Sequence, residues 1–113
     1  MLQNKSFAFG VKVVGLSQYL QTEIKDYSIS KQVLRSGTAI GALICEAEFA
    51  QSRADFVSKM SIALKEANET RYWIRLLNAS EYINDQQSEI LLNDITEIIS
   101  MLVKSIKTAK NNS

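Results

Sequence analysis

Residues 84–110, NDQQSEILLNDITEIISMLVKSIKTAK, decide the fold class. Leu91, Ile95, Ile98, Leu102 and Ile106 recur at the spacing that puts them on one face of an α-helix, with polar residues between them. Asn84 is an N-cap residue, and Gln87 three positions on completes a capping box. Asp85 and Glu89 stand at the start, while Lys104, Lys107 and Lys110 stand at the end, each sign where the helix dipole favours it. The lysine triplet is therefore explained by the helix itself. A helix with one apolar face must bury it against other elements, so the rest of the chain has to supply them.

Reading upstream, three more segments have helical character, and no proline interrupts any of them. The periodicity predicts helices over about 4–25, 29–51, 53–80 and 86–110. Ser52 begins the third, with Asp55 placed as in a capping box; Ser28 or Ser30 is the expected cap of the second. In the first, Phe9, Val13, Leu16, Leu20 and Ile24 share a face, although Gly10, Gly15 and the β-branched run around Val13 also suit a strand. Val33, Gly37, Ile40, Ile44 and Ala47 form the inward face of the second. Short connections make sequential helices antiparallel neighbours. The expected architecture is all-α, an antiparallel up-and-down four-helix bundle, with residues 1–113 forming one domain.

Composition narrows the function classes. Hydrophobic residues make up 46% of the 113 positions, enough for one core, and 13 basic against 12 acidic side chains leave a net charge of +1. No overall field marks a nucleic-acid or membrane binder. There is no histidine, which removes the commonest general base and the Glu-x-x-His ligands of di-metal bundles. Neither a cofactor nor a metal site is expected. Cys45 has no partner for an internal disulfide and is expected near the inward face of the second helix. The chain lacks a signal-peptide pattern and an apolar run long enough to span a membrane, so a cytoplasmic location is expected.

Two helices carry more than a core face. On the third, Phe56, Met60, Ala63, Ala67 and Ile74 form one apolar side. Ile62, Trp73 and Leu76 form another about 100° away, interleaved with Lys65, Glu66 and Glu69. The second side is a candidate contact between copies, because a lone surface helix has no use for it. On the second helix Gly37 and Gly41 make a small-x-x-x-small spacing with Ser36, Ala39 and Ala42, which permits close backbone approach. Arg35 and Glu46 sit among those alanines, and with Lys65 and Glu69 they are candidates for a polar layer at a helix or subunit junction. An alternative makes Glu46 and Glu69 an acid–base pair tuned by Lys65. No nucleophile, metal ligand or phosphate loop accompanies that pair, so a non-enzymatic role is expected.

The segments LRSGTAIGA (34–42), EAEFAQSRADF (46–56) and ALKEANETRYW (63–73), with SIKTAKNN (105–112) near the end, occur in order. Over about residues 5–110 the chain resembles the bacterial four-helix-bundle family of proteins encoded by intervening sequences in 23S ribosomal RNA genes. The matching positions are Arg35, Ser36, Gly37, Glu46, Ala47, Lys65, Glu66, Glu69 and Trp73, and the resemblance gives them a structural role. Leu43 departs from the asparagine often found there. The resemblance implies homopentameric assembly. Through the related accessory proteins of diversity-generating retroelements it also suggests RNA or DNA as a partner, or a protein partner such as a reverse transcriptase or a ribosome-associated factor. Arg71, Arg75, Lys104, Lys107 and Lys110 are the candidate nucleic-acid contacts, set against a chain far less basic than that branch. The expected function is an oligomeric scaffold, with a protein-binding adaptor as the alternative.

Overall fold

Polar residues open three of the four helices in the computed structural model, which describes residues 1–112: α1 Leu2–Tyr19, α2 Tyr27–Glu48, α3 Arg53–Ala79 and α4 Asp85–Asn111. Ser52 accepts a hydrogen bond from the Asp55 amide at the start of α3. Asn84 and Gln87 form the reciprocal capping box of α4. The cap of α2 differs from expectation. Asp26 takes that place, accepting from the Ile29 amide, whereas Ser28 is exposed and Ser30 is buried inside the helix. An ionised carboxylate at an N-terminus gains from the helix dipole as well as from the hydrogen bond, which favours Asp26.

The last turn of the first helix is wider than expected. After Tyr19 the backbone continues as a π-helical turn over Leu20–Ile24, and Lys25 closes it in the left-handed conformation at φ 64°. The amide of Asp26 then reaches back to the Leu20 carbonyl at 3.0 Å. The Asp26 carboxylate also accepts from the Tyr82 hydroxyl at 3.0 Å, tying the start of α2 to the α3–α4 turn. In that turn Glu81 is left-handed, and the Tyr82 and Glu81 amides bond the Leu77 and Asn78 carbonyls in the pattern of a Schellman cap.

The helices pack in cyclic order: α1 against α2, α2 against α3, α3 against α4, and α4 against α1. This is an antiparallel up-and-down bundle, 48 Å long and about 20 Å across. The core contains the stripe expected on α4, together with Phe9, Val13, Leu20, Val33, Ile40, Ile44, Met60, Ala63, Ala67 and Ile74. Leu43 is partly buried and packs against that core. Cys45 is a correction: it is exposed, one helical position beyond the buried Ile44.

Small residues set the spacing between α1 and α2. A Cβ placed on Gly37 would lie 2.7 Å from both Val13 methyls, and one on Gly41 would lie 3.4 Å from the Ser6 carbonyl oxygen. Polar pairs lock the same seam and the next. Ser17 and Ser30 hydroxyls meet at 2.7 Å between α1 and α2, and the Thr70 hydroxyl donates to Ser36 at 2.9 Å between α3 and α2. Among the described residues every buried side-chain polar atom has a partner, as a stable interior requires.

The two glycines should therefore respond differently to alanine. Gly37→Ala is expected to destabilise by about 1–3 kcal/mol, because Val13 is held in the core and must shift. At Gly41 the added methyl meets ordinary contact, so Gly41→Ala is expected to stabilise by up to about 1 kcal/mol through helix propensity. Denaturant unfolding of both variants tests this.

Candidate functional site

Charged side chains gather at the α2–α3 seam. The Arg35 guanidinium donates to both oxygens of Glu66, at 3.1 and 3.2 Å, and its other terminal nitrogen donates to Glu69. The second partner of the same Glu69 oxygen is the Trp73 indole N–H, at 3.0 Å. Spacings of three and four residues put Glu66, Glu69 and Trp73 on one stripe of α3, so a single arginine can engage both carboxylates. The Trp73 and Arg35 hydrogen bonds hold the Glu69 carboxyl below its ordinary range, and the two carboxylates raise Arg35 further.

The expected polar layer is thus only partly assembled. Arg35 and Glu69 meet; Glu46 does not join them, because it lies about three turns further along α2 and faces Lys59 at 3.5 Å. Lys65 is exposed and acts on Glu69 only through its charge. The acid–base pair of Glu46 and Glu69 therefore has no shared site. Glu66, which the resemblance gives a structural role but which is absent from the expected polar layer, is the member that joins Arg35 and Glu69. Its signal was its spacing from Glu69 on the face opposite Arg35.

The second apolar side of α3 is also divided. Trp73 is partly buried and packs against the core, and Leu76 is partly buried, whereas Ile62 is 42% exposed. Trp73 already has an intramolecular hydrogen bond and an edge-on contact with Tyr72.

The candidate cations do not converge within one chain. Met60 and Met101 line the same groove, which sets the antiparallel level of α3 and α4. Lys104, Lys107 and Lys110 thus lie toward the start of α3, whereas Arg71 and Arg75 lie near its end, roughly 20 Å away at 1.5 Å per residue. Arg71 donates to Asn68 at 2.8 Å, and Arg75, Lys104, Lys107 and Lys110 are exposed. Among the described residues no group of three acidic, cysteine or histidine side chains could hold a metal ion, and no helix is long and apolar enough to cross a membrane.

The largest concave surface lies elsewhere, between α1 and α2. It is a groove of about 560 Å³ with Phe7, Val11 and Val14 along one wall and Thr38, Ala42 and Cys45 along the other; Gly10 and Gly41 also line it. Phe7 is 74% exposed, Val11 59% and Val14 44%. Sequence periodicity assigned Phe9 and Val13 to the core and passed over these three, although their i, i+4, i+7 spacing is itself a helical stripe.

A family model described as 23S rRNA-intervening sequence protein matches residues 1–104. Among solved structures the chain is similar to a crystal structure of a protein with unknown function from the S23 ribosomal protein family of Bacteroides thetaiotaomicron VPI-5482. The two are 54% identical, with a TM-score of 0.94 over 95% of this chain and 99% of that one. No curated protein matches the chain.

The Glu69 hydrogen bonds predict a pH dependence. Because its folded-state pKa lies below the ordinary 4.5, its stabilising contribution is complete above that value and is lost as pH falls through the folded value. Glu69→Gln should flatten this part of the acid-side loss of stability. At neutral pH it should cost about 1 kcal/mol or less, since the pairs are open to solvent. Trp73 fluorescence during unfolding at pH 3 to 7 measures both.

Proposed function

The chain belongs to the 23S rRNA-intervening sequence protein family, and on that premise we propose that it is a non-enzymatic scaffold that assembles with copies of itself, in a ring of five. One observation carries the reading: the largest groove is apolar, open and bordered by exposed Phe7, Val11 and Val14. Exposed apolar surface rimmed by polar residues marks an interaction site in a soluble protein. The titratable groups support the non-enzymatic part. Arg35, Glu66, Glu69 and Trp73 satisfy one another, and the groove has Glu48 as its only ionisable lining group besides Cys45.

Nucleic acid is a secondary partner in this reading. With a net charge of +1 and its cations split between two ends of the bundle, one copy has too few clustered charges for tight phosphate binding. Assembly would repeat Arg71, Arg75 and the α4 lysines around a ring, and the resulting binding is weak, independent of sequence and sensitive to salt.

Light scattering on the full chain at micromolar concentration is expected to give a mass several times 12.7 kDa. A monomer would reject the scaffold. Titration with single-stranded RNA and duplex DNA at two salt concentrations should show weak binding that disappears at the higher one; no binding at low salt removes the nucleic-acid component.

A further inference from the structure

We propose that the outer face of α1, together with the α1–α2 groove, is the surface that seats a second copy of this chain, with the Phe7–Val11–Val14 ridge entering the neighbour's groove. This rests on the self-assembling scaffold and specifies where its contact lies.

Charge is the first argument. The 18 residues of α1 include two charged side chains, Lys5 and Lys12, and no acid. Both turn toward α4, where Lys5 meets Glu97 at 2.7 Å and Lys12 meets Asp94 at 2.6 Å. The ridge of Phe7, Val11 and Val14 is therefore left without a charge of its own, and depletion of charge with retention of aromatic and aliphatic groups marks the centre of a protein interface. An apolar strip of this kind offers nothing to a phosphate backbone or to a charged peptide.

Shape is the second. α1 stands as a ridge between two grooves. The α1–α2 groove is on one flank, and a smaller one of about 340 Å³, bordered by Tyr19 and Ile90, lies between α1 and α4 on the other. Gly10, Gly41 and Ala42 give the larger groove small linings that admit a helix ridge. One molecule thus carries both the ridge and a recess of matching chemistry, so a second copy is a sufficient occupant. Ridge and recess are different patches of one molecule, so a ridge-into-recess contact is heterologous, the kind a ring requires.

Area is the third. An α-helix of this length is about 27 Å long, and α1 with its two flanking grooves forms one side of a bundle that measures 21 × 19 Å in cross-section. That footprint is on the order of 500 Å² per copy, which reaches the total of about 1,000 Å² that a specific interface should clear.

The test uses the full chain and its single cysteine. Cys45 lines the groove and should be shielded in the assembly, so native Cys45 alkylation by a maleimide reports coverage directly. Val11→Glu places a charge on the ridge at a position outside the core and keeps a good helix former there. It is expected to lower the mass toward the monomer, preserve helix content, and speed Cys45 alkylation about tenfold or more. Trp73→Ala is expected to keep the assembled mass. If Val11→Glu loses helix content, Phe7→Gln takes its place with the same expectation.

A wild-type monomer would defeat the scaffold reading itself. An oligomeric wild type whose mass and Cys45 rate are unchanged by Val11→Glu would overturn this inference and leave the scaffold standing. Dissociation by Trp73→Ala alone would move the contact to α3. Sedimentation of the wild type with neutral phosphatidylcholine vesicles, with loss of the oligomer, would overturn the inference in favour of a lipid surface.

Discussion

The near contact of the α2 backbone at Gly37 with the Val13 methyls sets the geometry on which the rest of the bundle depends. With no α2 side chain at that level, α2 approaches α1 closely enough for the Ser17 and Ser30 hydroxyls to meet. The rotation that points Gly37 at α1 turns the preceding residue, Ser36, toward Thr70 of α3. The same choice of small residues has a second result. Gly41 and Ala42 leave the outer edge of the α1–α2 seam unfilled, so the groove beside Phe7 and Val11 follows from the packing that builds the core. Larger residues there would thicken the seam and close the recess together.

Ion pairs are distributed in a complementary way. Lys5–Glu97 and Lys12–Asp94 cross from α1 to α4, while Arg35 with Glu66 and Glu69, and Glu46 with Lys59, cross from α2 to α3. No pair among these crosses from α1 to α2, where the glycine approach already fixes the spacing. Partly exposed pairs contribute little stability each, so their effect is on register. They hold helices at the right level along the bundle and keep the α1 lysines from facing outward.

Much of the fold was legible because burial imposes a helical period. The α4 stripe from Leu91 to Ile106 is buried as read, and the caps at Ser52 and Asn84 are those read from the sequence, each with its partner three residues on. The misses have physical causes. Around α2, Asp26, Ser28 and Ser30 all have capping side chains, and sequence alone does not register that Ser30 is needed by Ser17. The π-helical turn over Leu20–Ile24 leaves no compositional mark. Cys45 follows a buried isoleucine, and one residue rotates a helix by about 100°, enough to bring a side chain from core to surface. For the candidate site, the glycine spacing on α2 was legible, whereas the outward stripe of α1 was not. Phe7, Val11 and Val14 interleave with Phe9 and Val13, and two apolar stripes on one helix blur each other's period.

The sequence offers α3 as a candidate contact between copies. Ile62, Trp73 and Leu76 form a clean second stripe among charges, but those charges belong to the stripe's own seam: Arg35 reaches across to Glu66 and Glu69, and Glu69 holds the indole of Trp73. An aromatic residue with a satisfied N–H, packed on its own core, needs no partner. The exposed part of α3 mixes Ile62 and Tyr72 with Lys65, Asn68 and Arg75, a pattern that water tolerates. α1 lies diagonally across the bundle from α3, and its exposed Phe7, Val11 and Val14 have the neutral Gln3 and Asn4 beside them in the groove. Apolar content alone therefore does not distinguish the two helices. What distinguishes them is where their charges go: on α3 the charges share the outward surface, and on α1 both lysines pair with carboxylates of α4, leaving Phe7, Val11 and Val14 exposed without a charge on their ridge.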